Sequence, residues 1–188
     1  MKDVFSDKAA SCPGEAFSHG GARDGLPADV PRPFVLLDAV SGADAEGLTA
    51  WRRFDAAPFW QGMEAAAQAA ALHQRFLSGF SRHAFLLSVD ECPLPEGLLC
   101  DRVEIRAALL GGSLSAVAYR VDLMPHGPAF PGGGGAGAVP SAALTLFLSI
   151  GLTPYDATFK RDALESRYRR LFQWLTRNAP SATVSTAG

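Results

Sequence analysis

The stretch Pro58-Phe59-Trp60-Gln61-Gly62-Met63-Glu64-Ala65-Ala66-Ala67-Gln68-Ala69-Ala70-Ala71 constrains the fold more than any other part of the chain. Alanine, the strongest helix former, dominates it, Pro58 stands at its start and Gly79 at its end, the order that helix boundaries prefer. This pattern predicts one long helix over residues 58–79. Between Phe59 and Phe80 the only formally charged residues are Glu64 and Arg75, so the helix is apolar on every side and is expected to be buried. An ionised carboxylate in apolar packing costs several kcal/mol unless it is paired or protonated. A chain that keeps Glu64 there points to a task for it, and Glu64 is the leading candidate for chemistry. The alanines have their own structural reading, since small side chains let a sheet approach the helix closely.

Around this helix the chain reads as strands. The run from Phe34 to Val40, ended by Ser41-Gly42, and the run from Leu48 to Phe54 suggest a strand pair. Four more strands are expected at Ala84–Asp90, Arg102–Leu110, Leu114–Leu123 and Ala142–Ile150, with Gly111-Gly112 as a hairpin signal. Leu164, Tyr168, Leu171, Phe172 and Leu175 recur at helical spacing and predict a C-terminal helix over Phe159–Arg177, docked by its aromatic face. Residues 1–30 read as a disordered leader, the Gly-rich segment within 126–140 as a flexible loop, and 179–188 as a tail. The body is then a domain over 31–152 with a helical appendage over 153–178. With no second βαβ unit, the order fits an α+β fold in which one curved antiparallel sheet wraps a long central helix, the hotdog architecture.

Composition narrows the partners. A net charge of -2 and a pI near 6.1 leave no basic footprint for nucleic acid or an anionic membrane. The apolar runs are too short and broken to span a bilayer, and the first residues have no signal-peptide core, which predicts a cytoplasmic protein. Cys12, Cys92 and Cys100 are odd in number and lack metal-ligand spacing, so neither disulfides nor a metal site is expected, and no cofactor is implied.

The pattern Pro58-x-Trp60-x-Gly62-x-Glu64-x-x-Ala67-Gln68 resembles the central helix of hotdog-fold β-hydroxyacyl-acyl-carrier-protein dehydratases, above all those of aryl polyene biosynthesis. Fatty-acid dehydratases share only its Glu-x-x-Ala-Gln part. The runs Phe34–Val40 and Phe85–Asp90 resemble that family's first strand and the strand after its helix, so the similarity covers roughly residues 31–123. It implies a homodimer binding an acyl thioester, on acyl carrier protein or coenzyme A, in a channel between protomers. Glu64 then takes the place of the catalytic carboxylate. Gly62, Gln68 and Trp60 contact substrate, Gly62 through a backbone N–H near the positive helix terminus.

The chain departs from that family in one respect. Such dehydratases pair the carboxylate with an upstream His, and no His lies between Gly20 and Leu72 here. His73, nine positions after Glu64, falls on the opposite side of the helix at about 100° per residue. His83 reaches a site only across a dimer seam, while His19 and His126 sit in the leader and beside the Gly-rich loop. Three readings follow: a dehydratase-type protein of fatty-acid or polyene-like biosynthesis; a hotdog thioesterase using one helix carboxylate; and a non-catalytic acyl-binding subunit, or one completing a heterodimer with an intact dehydratase.

The remaining charges are assigned no chemistry. Asp90-Glu91 and Arg102-x-Glu104-x-Arg106 read as the solvent face of strands. Arg161, Arg167, Arg169 and Arg170 read as a solvated helix face, or as a patch for an acidic carrier protein.

Overall fold

A computed structural model describes residues 34–91, 98–126 and 143–179. The expectations for the leader, for the Gly-rich loop beyond His126, for the tail past residue 179, and for Cys12 and Cys92 lie outside these residues.

The order is β1 (Ala39–Ala43), β2 (Gly47–Pro58), α1 (Phe59–Leu77), β3 (Arg82–Glu91), β4 (Leu98–Gly112), β5 (Ala116–Pro125), β6 (Leu144–Pro154) and α2 (Arg161–Arg177). The strands form one antiparallel sheet in the order β1-β2-β4-β5-β6-β3, which leaves β1 and β3 as its edges. The fold is α+β, an antiparallel sheet with two helices. Alternation places one face of each strand inward: Leu48, Ala50 and Phe54 on β2, Val103, Ile105 and Ala107 on β4, Tyr119, Val121 and Leu123 on β5, and Leu146, Leu148 and Ile150 on β6. Helix α1 packs on this face against β2 through β6, and its buried alanines permit the close approach.

Two local rules fix the ends of α1. Pro58 is its N-cap, and the amide groups of Gly79 and Phe80 return to the carbonyls of Phe76 and Arg75, a Schellman motif with Gly79 at φ 60°. Phe80 itself holds φ 64°, an uncommon conformation for a side-chain-bearing residue. Its buried ring lies edge-on to Phe172 of α2, and its carbonyl accepts the Tyr155 hydroxyl at 3.1 Å. Helix α2 continues this seam, with Phe172 stacked on Phe76, Tyr168 under the Arg75 guanidinium at 3.7 Å, and Trp174 and Leu175 buried. It packs against β1 and meets α1 at its last turn, at Arg75 and Phe76.

Two expectations about local structure are corrected. The apolar run from Phe34 is not a strand up to Val40: strand pairing starts at Ala39 and continues through Ser41-Gly42 by way of an irregularity between Val40 and Gly42. Residues 34–38 instead cross α1 as an irregular strap. Their backbone groups are satisfied by a side chain, since Gln68 Nε2 donates to the Phe34 carbonyl at 2.7 Å and the Leu36 N–H donates to Gln68 Oε1 at 2.9 Å. Helix α1 is also not buried all round. Trp60 is 56% exposed and Glu64 is exposed as well, because the sheet covers only one side of the first turns and α2 reaches only the last ones.

Candidate functional site

The uncovered side of α1 forms the floor of a cleft of about 510 Å³. Helix α1 lines it with Trp60, Gln61, Met63, Glu64 and Gln68, the strap with Phe34 and Leu36, edge strand β3 with Leu86 and Val89, and β2 with Arg52. Its size falls within the range of small-molecule sites, and its walls combine apolar side chains with a few convergent polar ones.

Glu64 stands on this floor one turn before Gln68, whose Nε2 donates to its Oε1 at 3.0 Å. The same Gln68 amide holds the strap at Phe34 and Leu36, so one side chain fixes both the roof of the cleft and the orientation of its carboxylate. Both polar atoms of Gln68 are thereby committed within the chain, and Gln68 positions Glu64.

Of the other predicted substrate contacts, Trp60 lines the cleft and Gly62 does not. Gly62 is buried against the sheet, where an added Cβ would stand 2.6 Å from Leu99 Cδ1 and 3.1 Å from Leu123 Cδ1. Counting from N-cap Pro58, the helix N–H groups that lack an intrahelical acceptor are those of Phe59, Trp60 and Gln61, with Gly62 the first that can reach back to the Pro58 carbonyl. The donors available at the positive end of the helix are therefore one residue or more ahead of Gly62.

No described histidine enters the cleft. His73 is wholly buried, with Nε2 donating to the Asp44 carbonyl at 2.8 Å and Nδ1 accepting from the Tyr119 hydroxyl at 2.6 Å, which in turn accepts from Gln74 Nε2 at 2.6 Å. Burial pushes the His73 pKa down and the Tyr119 pKa up to about 12, so both stay neutral in this network. His83 is sandwiched between Phe159 and Phe85, and burial, helped by the Arg75 charge, lowers its pKa as well. His126 is fixed by Nε2 on Glu104 Oε2 at 2.8 Å. That pair corrects a further expectation. Glu104 is only 6% exposed, capped by His126 and Arg106 beside Trp51, rather than open to solvent. Arg161 and Arg169 of α2 both pair with Glu165. Among the described residues, no cluster of His, Cys, Asp and Glu could hold a metal ion, and no helix is long and apolar enough to cross a membrane.

Arg52 is a charged residue of the cleft that the sequence did not mark as a site residue. On β2 it follows Leu48 and Ala50 and precedes Phe54, all facing inward, and its cross-strand partner is the buried Val103. Its Nη1 donates to Asp38 Oδ1 at 2.8 Å, and the Arg53 N–H holds Asp38 Oδ2 at 2.8 Å. A cation at an inward position of an otherwise alternating strand was the available signal.

No protein-family model and no curated protein matches the chain. Among solved structures, the chain is similar to one in the dehydratase heterocomplex ApeI:P from Xenorhabdus doucetiae, at 14% identity, covering 70% of this chain and 90% of that one with a TM-score of 0.49. A thioesterase from Haemophilus influenzae follows at 11% identity, 61% and 77% coverage and a TM-score of 0.44. A mutant thioesterase from Pseudomonas aeruginosa shows 15% identity, 61% and 80% coverage and a TM-score of 0.43.

Proposed function

We propose that the chain is a hotdog protein of the β-hydroxyacyl dehydratase type, which takes an acyl chain carried on acyl carrier protein or coenzyme A into the cleft, with Glu64 as its acid-base residue. The observation that carries this reading is that Glu64, oriented by Gln68, shares one cleft with the open first turn of α1. The free N–H groups there polarise a thioester carbonyl, which acidifies the adjacent carbon. Glu64 removes the α-proton and the β-hydroxyl leaves as water with a proton returned to it, giving the enoyl thioester.

The second proton-transfer group of a dehydratase comes, in this reading, from a second hotdog chain. Edge strand β3 presents exposed Phe85, Leu86 and Leu87, and its Leu86 and Val89 border the cleft. A chain paired along that edge, as a homodimer partner or as an intact dehydratase in a heterodimer, closes the cleft; because the described histidines of this chain are held within their own fold, it is the intact dehydratase that brings the His. A second reading, a thioesterase, is favoured by the same cleft holding a carboxylate and no described His, since one carboxylate suffices as base or nucleophile.

Hydration of crotonyl and octenoyl thioesters, assayed beside thiol release, separates these readings. A dehydratase consumes the enoyl group and releases no thiol, and Glu64→Gln abolishes the reaction. Thiol release that depends on Glu64 establishes the thioesterase. Wild type and Glu64→Gln equally silent in both assays, alone and with a co-expressed relative, refute an enzymatic role.

A further inference from the structure

We propose that the strap ends the acyl site one helical turn beyond Glu64, and that Leu36 limits the acyl chain that fits to about eight carbons. This rests on the acyl-thioester reading of the cleft and deepens it.

The cleft is a groove along α1 that stops. Trp60, Glu64 and Gln68 line it at steps of four along the open face of the helix, about 12 Å from first to last. At Gln68 the strap crosses, and one side chain ties it to the carboxylate. The Phe34 carbonyl oxygen at 2.7 Å and Glu64 Oε1 at 3.0 Å share the Gln68 Nε2 donor, while the Leu36 N–H donates to Oε1 of the same amide at 2.9 Å. Past this crossing Ala69, Ala70, Ala71 and Leu72 are all buried, so the groove does not resume beyond the strap.

The strap is also a fixed wall. Val35, Leu36 and Leu37 are all buried, and just downstream the Asp38 N–H donates to the Trp51 carbonyl and the Asp38 carboxylate accepts the Arg53 N–H, both at 2.8 Å. Moving it aside for a longer acyl chain exposes three buried side chains to cover a few methylenes, a net loss. Of its residues Phe34 and Leu36 line the cleft, and Phe34 is 75% exposed while Leu36 is 8% exposed, which makes Leu36 the surface that the end of the chain meets. Direction follows from the two ends. With the thioester carbonyl at the free N–H groups of the first turn and the α-carbon at Glu64, the acyl chain runs on toward Gln68, because β2 walls one side of the groove and β3, with the chain paired on its edge, the other. From Glu64 to Gln68 is about 6 Å of helix. An extended chain advances about 3.5 Å per three bonds, which leaves room for about five bonds past the α-carbon.

Equilibrium titration of butanoyl, hexanoyl, octanoyl, decanoyl and dodecanoyl thioesters of N-acetylcysteamine tests this. In wild type the affinity is expected to rise about fourfold per methylene as far as octanoyl and to rise no further beyond it. Leu36→Ala carries the rise on to decanoyl, and Leu36→Phe stops it at hexanoyl, with butanoyl affinity within about twofold of wild type in both. A strap that only supports the fold shifts all chains alike and does not move the break in opposite directions. A wild-type rise that runs unbroken to dodecanoyl overturns the proposal, as does a break that stays at octanoyl in both variants. Where thermal melts show that Leu36→Ala does not fold, Leu36→Phe decides alone, and a break left at octanoyl overturns the proposal. If wild type binds none of the series, the acyl-thioester reading itself falls and takes this inference with it, an outcome distinct from an unbroken or unmoved series.

Discussion

Tyr119→Phe removes one oxygen from an enclosed polar network in the core. Tyr119 and His73 are fully buried and Gln74 nearly so, and the hydroxyl is the hydrogen-bond partner of both His73 Nδ1 and Gln74 Nε2. Phenylalanine retains the ring and its packing but strands both groups away from water. Each buried group left without a partner costs about 1–3 kcal/mol, so a loss of about 3 kcal/mol is expected. For a chain of this length that lowers Tm by roughly 6–12 °C. Urea unfolding followed by tryptophan fluorescence, with thermal melts in parallel, measures it. Adding His73→Leu removes one of the stranded groups, so the double variant should be destabilised by less than the sum of the single ones. A Tyr119→Phe protein within about 1 kcal/mol of wild type would refute the claim that this network is dry and mutually satisfied.

Other perturbations probe the cleft and its supports. Gln68→Leu releases the strap at Phe34 and Leu36 and the carboxylate at Glu64; a stability loss of about 1–3 kcal/mol is expected, with a larger fall in acyl-thioester turnover than in binding. Burial holds the folded-state pKa of His73 and His83 below 6.5, so the unfolded chain binds more protons in mild acid. The stability these rings provide is complete above pH 6.5 and erodes as pH falls below it, and melts across that range should show a falling Tm that flattens in His83→Phe. Leu86→Lys/Leu87→Lys places charges along the β3 edge; sedimentation velocity should show a smaller species, and thioester turnover should drop with it. Unchanged mass with full turnover would remove β3 as the pairing edge.

The framework of this fold was legible because it rests on local signals. Alanine content, Pro58 and Gly79 mark α1, and period-two alternation marks β2, β4, β5 and β6 to within a few residues of their ends. Misreadings arose where a side chain or another element replaced the local rule. The run Phe34–Leu37 has strand composition, yet its backbone bonds to the Gln68 amide thirty-odd residues away, which no window of sequence contains. Glu64 looked buried because its neighbours are apolar, but which side of a uniformly apolar helix the sheet leaves open is set by where β3 ends the sheet and where α2 docks. Glu104 looked exposed by alternation, and His126 arriving from beyond β5 covers it. For the candidate site, the sequence named Glu64, Gln68 and Trp60, which the fold gathers at one cleft. It missed Arg52, whose inward register needed the flanking Ala50 and Phe54 to be read together with it.

Hydrogen exchange mapped by mass spectrometry, with and without a saturated octanoyl thioester, tests the assignment of the cleft without requiring turnover. Protection concentrated in residues 34–38, the first turns of α1 and residues 86–89 of β3 is the predicted result. Protection confined to other segments, or none at concentrations that saturate binding, would contradict it.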